Sequence, residues 1–122
     1  MKRILVIDDE QDFCFFVKKN LELTGNFMVE TCNDGREGVA KTKELRPDMV
    51  LLDIMMPGIN GADVAEAIKG NESTRNIPIA FLTALVKEEE AKTNQNWIGG
   101  EFFVAKPIKI RELVSVINEL VK

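Results

Sequence analysis

The sequence predicts an α/β protein in which five parallel strands alternate with five helices, giving a doubly wound parallel sheet in a single domain. Short apolar runs rich in β-branched residues recur along the chain, and stretches with helical spacing separate them. The run at 49–52 is apolar at every position, which is typical of a strand buried on both faces of a parallel sheet. The chain of 122 residues is long enough to bury a core without a disulfide or a structural metal.

Each predicted element has a local signal. The first helix is predicted over 11–24 because its apolar residues form one stripe and Gly25 follows them. The residues predicted on that stripe are Phe13, Phe16, Val17 and Leu21. The strands are predicted at 3–7, 27–32, 49–52, 79–82 and 101–105. The remaining helices are predicted from the Asn33-Asp34-Gly35 cap to about 45, between the Asn60-Gly61 loop and Gly70, at 87–98 and at 109–121.

Composition excludes several classes of function. The net charge of -4 argues against nucleic acid as a direct partner, since binding phosphates requires a basic surface. The absence of histidine excludes catalysis by a histidine base and a phosphohistidine carried by this chain. There is no signal-peptide core and no apolar run of membrane-spanning length, so we expect a cytoplasmic protein without a membrane partner. Cys14 and Cys32 are predicted to be reduced packing residues.

Polar side chains follow four of the predicted strands. Asp8 and Asp9 follow the first strand, Asp53 the third, Thr83 the fourth and Lys106 the fifth. A parallel sheet brings the carboxyl ends of its strands to one edge, where open α/β sheets bind their ligands. We therefore expect these five residues to share one pocket.

That set of residues favours phosphoryl transfer to a carboxylate. Carboxylates crowded together repel and require a cation, and hard oxygen ligands beside a place for phosphate suit Mg²⁺. Lys106 can contact a phosphoryl oxygen and the Thr83 hydroxyl can donate to another. In this interpretation Asp53 is the nucleophile and forms an acyl phosphate. Taken singly, each motif is more simply a capped turn or a solvated loop, and only their combination carries the hypothesis.

The full chain, 1–122, resembles the receiver domain of two-component response regulators. The resemblance rests on motifs ordered at successive strand ends, namely Asp8-Asp9, Asp53 with Met56-Pro57 and Gly61, Thr83-Ala84, Gly99, and Lys106-Pro107. It implies a flavodoxin-like sheet in the order 2-1-3-4-5. It also implies phosphorylation of Asp53 by a histidine kinase or a histidine phosphotransfer protein, with Lys106 on the phosphoryl group. The implied Mg²⁺ ligands are Asp8, Asp9, Asp53 and the backbone carbonyl of Met55.

The resemblance also implies how the signal is passed on. In the family, phosphorylation changes the surface formed by the fourth helix, fifth strand and fifth helix, through a threonine and an aromatic residue that match Thr83 and Phe103. Phe103 departs from the more common tyrosine. A homodimer formed through that face on phosphorylation is compatible with the resemblance, although no residue demands it, and the downstream protein is not specified.

Two further sets of residues are assigned by position. Met55 and Leu85 lie where the family tunes the lifetime of the phosphoryl group, and their apolar side chains predict slow autodephosphorylation. On the first helix, Phe13 and Phe15 are candidate docking residues for the kinase, because this helix is the docking element of the family. Phe15 lies off the predicted core stripe, in line with Lys19 and Leu23.

Three classes of function stay open at this stage. The first is a signalling switch that is not a turnover enzyme, either acting alone or as the receiver module of a larger regulator. The second is an aspartyl-phosphate phosphatase of the haloacid dehalogenase kind, which would place its nucleophile after the first strand and carry a cap insertion. The third is an adaptor with the same fold and no phosphorylation.

Overall fold

A computed structural model describes residues 1–83, 97–98 and 101–121. Its strands are β1 (Lys2–Ile7), β2 (Phe27–Cys32), β3 (Met49–Asp53), β4 (Ile79–Thr83), β5 (Trp97–Ile98) and β6 (Glu101–Ala105). They form a six-stranded sheet in the order β2-β1-β3-β4-β6-β5. The helices are α1 (Gln11–Leu23), α2 (Gly35–Leu45), α3 (Gly61–Lys69) and α4 (Ile110–Leu120), the last of which is the fifth helix of the sequence prediction. The five strands predicted from sequence pair in parallel in the order 2-1-3-4-5, so the predicted fold class is confirmed.

The sheet divides the core into two layers because successive residues of a strand point to opposite faces. From β1, Ile4 and Val6 join the layer beneath α1 and α4, whereas Leu5 and Ile7 join the layer beneath α2 and α3. Every residue of β3 and β4 is buried, as expected for central strands of a parallel sheet covered on both sides. The edge strand β2 shows alternation instead.

The core face of α1 is shifted from the predicted stripe. Its buried residues are Cys14, Val17 and Leu21, whereas Phe16 is 44% exposed, so the prediction for Phe16 is wrong. The small Cys14 allows α1 to pack close to the end of β1, where its thiol lies 3.4 Å from the Asp8 carbonyl oxygen. Both cysteines are free and buried, as predicted, and burial followed by the charge of Asp8 raises the pKa of Cys14 to about 12.

Residues near in sequence cap the amino ends of α2 and α3. The Asp34 carboxylate accepts hydrogen bonds from two backbone N–H groups at the start of α2, and the Asn60 side chain caps α3 through the Asp63 N–H. At the end of α2, Arg46 adopts a left-handed conformation with φ of 46°. The predicted end of α2 at Leu45 is confirmed, whereas α3 begins at Gly61, a residue that the prediction placed in the preceding loop.

The predicted helix at 87–98 is wrong at its end, because Trp97 and Ile98 form β5, antiparallel to β6. An aromatic and a β-branched residue favour a strand, and pairing covers backbone groups along one edge of β6. The rest of that predicted helix, with Leu85 just before it, lies outside the described residues. None of the helices that the structure describes is long and apolar enough to cross a membrane.

Candidate phosphoacceptor site

The carboxyl ends of four parallel strands lie in register at one edge of the sheet. Ile7 of β1 pairs with Leu52 of β3, one residue before Asp53, while Thr83 of β4 pairs with Ala105 of β6. The ladder then continues one residue further, since the backbone N–H of Lys106 donates to the Thr83 carbonyl at 3.0 Å. The predicted convergence of the strand ends on one edge is therefore observed.

Lys106 connects three of the acids at this edge. Its Nζ lies 2.8 Å from Oδ2 of Asp8, 3.2 Å from Oε1 of Glu10 and 3.8 Å from Oδ2 of Asp53. Asp8 is fully buried, and its other carboxylate oxygen accepts the backbone N–H of Glu10 at 2.9 Å. An ion pair in this setting matters more than one at the surface, because an unpaired buried charge is costly.

The acids that lie closest together include one outside the predicted set of metal ligands. One oxygen from each of Asp8, Glu10 and Asp53 lies within 4.8 Å of the others. Glu10 was not among the predicted ligands, although it stands directly after Asp8-Asp9 at the N-cap position of α1. Asp9 is exposed and falls outside this triplet, at the mouth of a groove that also includes Met55. Three carboxylates in this arrangement form a hard oxygen donor set, which fits Mg²⁺.

The environment of Asp53 favours its neutral form. Burial, followed by the negative charge of Asp8, raises the pKa of Asp53 to about 6, while Lys106 acts in the opposite direction. Burial alone lowers the pKa of Lys106, but hydrogen bonding and charge from Asp8, with Glu10 and Asp53, outweigh it and raise that pKa above its ordinary value. Additional positive charge at this edge would therefore favour the ionised form of Asp53.

The loop after β3 is held tightly against Asp53. The backbone N–H of Met55 donates to Oδ1 of Asp53 at 3.3 Å, and the N–H of Gly61 donates to the Ile54 carbonyl at 2.7 Å. A Cβ on Gly61 would lie 2.3 Å from the Asp53 backbone oxygen, so the close return of the loop requires glycine. The Met55 side chain points outward and is 65% exposed, and its carbonyl as a metal ligand stays a prediction.

The two predicted switch residues lie on neighbouring strands. Thr83 is buried at the end of β4, one residue after Leu82, which pairs with Asp53 of β3. Phe103 is partly buried on β6 and stacks on Phe81 with ring centroids 5.4 Å apart. Both rings line a cavity of about 530 Å³ that extends along α3 from Ala62 to Gly70.

The two candidate docking residues have different environments. The Phe13 ring lies 4.5 Å from Nζ of Lys106, in cation–π contact, and lines a groove with Phe16 and Pro107 beside the site. Phe15 is 67% exposed, as its position off the core stripe predicted. Phe16 is the residue that sequence reasoning missed here, because it had been assigned to the core.

Comparison with known proteins agrees with this geometry. The family model described as the response regulator receiver domain matches residues 4–118. The DNA-binding dual master transcriptional regulator RpaA of Synechocystis is 33% identical over 122 residues, covering 100% of this chain and 50% of the relative. The phosphate regulon transcriptional regulatory protein PhoB of Pseudomonas aeruginosa is 34% identical over 121 residues, covering 99% and 52%. The chain thus spans about half the length of the curated relatives it matches.

Solved structures share the fold over nearly the whole chain. Chemotaxis protein CheY4 of Vibrio cholerae has a TM-score of 0.82 at 26% identity, covering 98% of both chains. The receiver domain of sensor histidine kinase PA1611 from Pseudomonas aeruginosa has a TM-score of 0.81 at 25% identity, covering 98% of this chain and 97% of that one. The latter structure has a magnesium ion coordinated in its active site cleft.

Proposed function

Because the chain belongs to the response regulator receiver domain family, we propose that it is a phosphoryl-accepting switch of a two-component pathway. Receiver domains are signalling switches rather than turnover enzymes. In our proposal Asp53 accepts a phosphoryl group from the phosphohistidine of a histidine kinase or phosphotransfer protein. The observation that carries the proposal is the position of Asp53, buried to 7% exposure at a strand end, with Lys106 3.8 Å away and Asp8 beside it.

The proposed reaction is an in-line displacement at phosphorus. A carboxylate oxygen of Asp53 attacks, the bond from phosphorus to the partner's imidazole nitrogen breaks, and that nitrogen keeps the electron pair. Lys106 turns from Asp8 and Glu10 toward a phosphoryl oxygen, and the Thr83 hydroxyl donates to another. Asp8, Asp9, Asp53 and the Met55 carbonyl would hold Mg²⁺, which when bound offsets the charge of the acids and the phosphoryl group.

The proposed switch couples Thr83 to Phe103. Movement of Thr83 toward the phosphoryl group would leave space that the Phe103 ring enters, which shifts the population between two packed states. The cavity along α3 and the stacking of Phe103 on Phe81 support this proposal, because the ring has open volume on one side. Structures with and without a beryllofluoride mimic test it, and identical Phe103 rotamers would contradict it. Chromatography of both samples tests for a homodimer.

A slow loss of the phosphoryl group is proposed from the apolar side chains beside the site. The exposed thioether of Met55 is a poor partner for orienting an attacking water. Leu85, outside the described residues, has an aliphatic side chain with no hydrogen-bonding atom. The double variant Met55→Asn with Leu85→Lys should hydrolyse its acyl phosphate several-fold faster than the wild type. An unchanged rate would show that these positions do not set the lifetime.

Docking of the phosphodonor protein is proposed on α1. Phe15 offers exposed apolar surface, and the groove lined by Phe13, Phe16 and Pro107 leads directly to Lys106. Phe15→Ala should slow transfer from the cognate kinase while sparing phosphorylation by acetyl phosphate. Met28→Ala, at another exposed apolar residue on β2, is the matched control. If Phe15→Ala slows both donors equally, its role is not docking.

The decisive experiment is phosphorylation by acetyl phosphate with Mg²⁺, followed by intact mass. The wild type should gain one phosphoryl group and Asp53→Asn none. Asp48→Asn, at the opposite end of β3, should behave as the wild type because Asp48 lies far from the acids. A wild type that gains no mass would favour an adaptor, and steady release of phosphate from phosphomonoesters would favour a phosphatase.

The alternative of a receiver module within a longer regulator is supported by the length of the relatives. This chain covers 50% of RpaA and 52% of PhoB, both transcriptional regulators by name. The size of the native protein in an immunoblot would distinguish the two forms. In either form we propose that the acidic receiver itself makes no direct contact with nucleic acid.

A further inference from the structure

The backbone carbonyl of Asp8 accepts hydrogen bonds from two side chains of different elements. Nδ2 of Asn33, in the connection between β2 and α2, lies 2.9 Å from the carbonyl oxygen, and the Cys14 thiol of α1 lies 3.4 Å from it. Nδ2 of Asn33 is also 3.5 Å from Sγ of Cys14, which closes a triangle. A carbonyl oxygen only accepts hydrogen bonds, so the amide nitrogen of Asn33 is the group that faces it.

This carbonyl occupies a special place in the acidic turn. It belongs to the peptide that joins Asp8 to Asp9, so its orientation sets the direction in which the chain continues to Asp9 and Glu10. The N–H of Asp8 is already held by the Cys32 carbonyl at 3.0 Å. Asn33 therefore anchors the peptide that follows the last ladder bond, where β1 itself provides no further restraint.

The turn needs such an anchor because its acids repel. Oxygens of Asp8, Glu10 and Asp53 lie within 4.8 Å of each other, and Asp9 adds a further negative charge that acts on Asp53. Repulsion favours any rotation of the turn that separates these carboxylates. A hydrogen bond to the peptide opposes that rotation before any cation is present.

We infer that Asn33 is a positioning residue that holds the Asp8–Asp9 peptide in the orientation a divalent cation requires. Asn33 touches neither the cation nor the phosphoryl group, and acts through the backbone of the turn. The inference rests on the proposed function in one respect, since the cation is the Mg²⁺ of that same site. Loss of a partner that orients metal ligands typically weakens metal binding by about 10-fold or more.

The test compares Mg²⁺ binding by Asn33→Ala and the wild type without any phosphodonor. Titration followed by ¹⁵N NMR should give a dissociation constant about 10-fold higher for Asn33→Ala. The Asp9 amide nitrogen should shift in the metal-free spectrum, because it belongs to the peptide whose hydrogen bond is lost. Asn33→Leu, which keeps the approximate size of the side chain and removes the donor, should reproduce both effects. Asn20→Ala, at an asparagine whose side chain donates to the Phe16 carbonyl within α1, should reproduce neither.

A kinetic measurement separates positioning from general loss of structure. The substitution Asn33→Ala leaves Asp53 and Lys106 unchanged. Saturating Mg²⁺ should therefore restore the wild-type rate of phosphorylation by acetyl phosphate in this variant. Equal Mg²⁺ affinity in Asn33→Ala and the wild type would overturn this inference and leave the proposed function intact. A rate that stays low at saturating Mg²⁺ would also overturn it. If the wild type binds no Mg²⁺, the proposed function and this inference fail together.

Discussion

Strand β3 has an aspartate near each end, and the two environments are opposites. Asp48, just before the strand, is exposed, and its carboxylate accepts the backbone N–H of Arg3 at 2.8 Å. Asp53, at the other end, is 7% exposed and has its pKa raised to about 6. The same residue type at the two ends of one strand thus serves two purposes.

The difference lies in what surrounds each carboxylate. At the amino end, one acid bonds to a backbone donor and faces water, and such a contact is worth about 1 kcal/mol. At the carboxyl end, three acids crowd together, and like charges about 4 Å apart cost about 4 kcal/mol at an effective dielectric near 20. Lys106 offsets part of that cost. A fold selected for stability alone would not retain this crowding, so we attribute it to function.

The largest effect in this comparison should come from the lysine. Lys106→Met leaves the buried Asp8 without its cation, so the free energy of unfolding at pH 7 should fall by about 3 kcal/mol. Lys2→Met, which removes an exposed hydrogen bond to Asn118 at the amino edge, should cost less than about 1 kcal/mol. Urea unfolding measures both. Equal losses would mean that the two edges do not differ as argued.

The close return of the loop should give the next effect. Gly61→Ala places a Cβ against the backbone of Asp53 and Ile54, which cannot yield as a side chain can. We expect a loss of about 2 to 3 kcal/mol, in the range of overpacked cores, together with weaker phosphorylation of a displaced Asp53. Thermal unfolding and acetyl phosphate labelling test the two parts. A stable variant with normal labelling would show that the loop has room to move.

Neutralising the buried acid should stabilise the protein. The fold raises the pKa of Asp53 from its ordinary 3.8 to about 6, so the folded state binds a proton more tightly than the unfolded chain. The stability from this group is fully present below about pH 4 and is lost as the pH rises through about 6. Without metal, Asp53→Asn should therefore gain at most about 3 kcal/mol at pH 7.5 and almost nothing at pH 4. Asp48→Asn should show no such pH dependence in urea unfolding, and a gain at pH 4 equal to that at pH 7.5 would contradict the prediction.

The smallest effect concerns backbone strain near the amino end of β3. Arg46 has a φ of 46°, a conformation that costs a residue with a Cβ about 1 to 2 kcal/mol. Arg46→Gly removes that cost but adds freedom to the unfolded chain, so we expect a net gain of about 0.5 kcal/mol. Gly25→Ala, at a φ of 82°, should show the reverse sign. Thermal unfolding measures both, and a loss in Arg46→Gly would show that the Arg46 side chain is stabilising.

Much of the fold could be predicted because its signals are local or periodic. The apolar run of β3, the cap at Asp34 and the glycine after α1 each identify an element or its end without reference to other parts of the chain. The face of α1 could not be predicted in the same way. Helical spacing allows a stripe through Phe16 or one through Cys14, and close packing beneath the end of β1 selects the smaller residue.

Some residues of the candidate site could likewise be predicted from the sequence, and others could not. The position of Asp8, Asp53, Thr83 and Lys106 at one edge of the sheet could be predicted, because parallel topology brings strand ends together. Glu10 could not, since its contact with Lys106 depends on the direction in which the turn leaves β1. The hydrogen bond from Asn33 could not be predicted either, because its partner Asp8 is 25 residues away in sequence.

The sequence by itself therefore determined the alternation of strands and helices and the polar residue at each strand end, since these depend on nearest neighbours and periodicity. Tertiary structure alone decided which acids lie within reach of Lys106, which face of α1 is buried and which side chain anchors the acidic turn. Those features depend on distances between residues far apart in the chain, and such distances exist only once the sheet has formed. Asp53 could be found from its strand, whereas its raised pKa is a property of the packed edge around it.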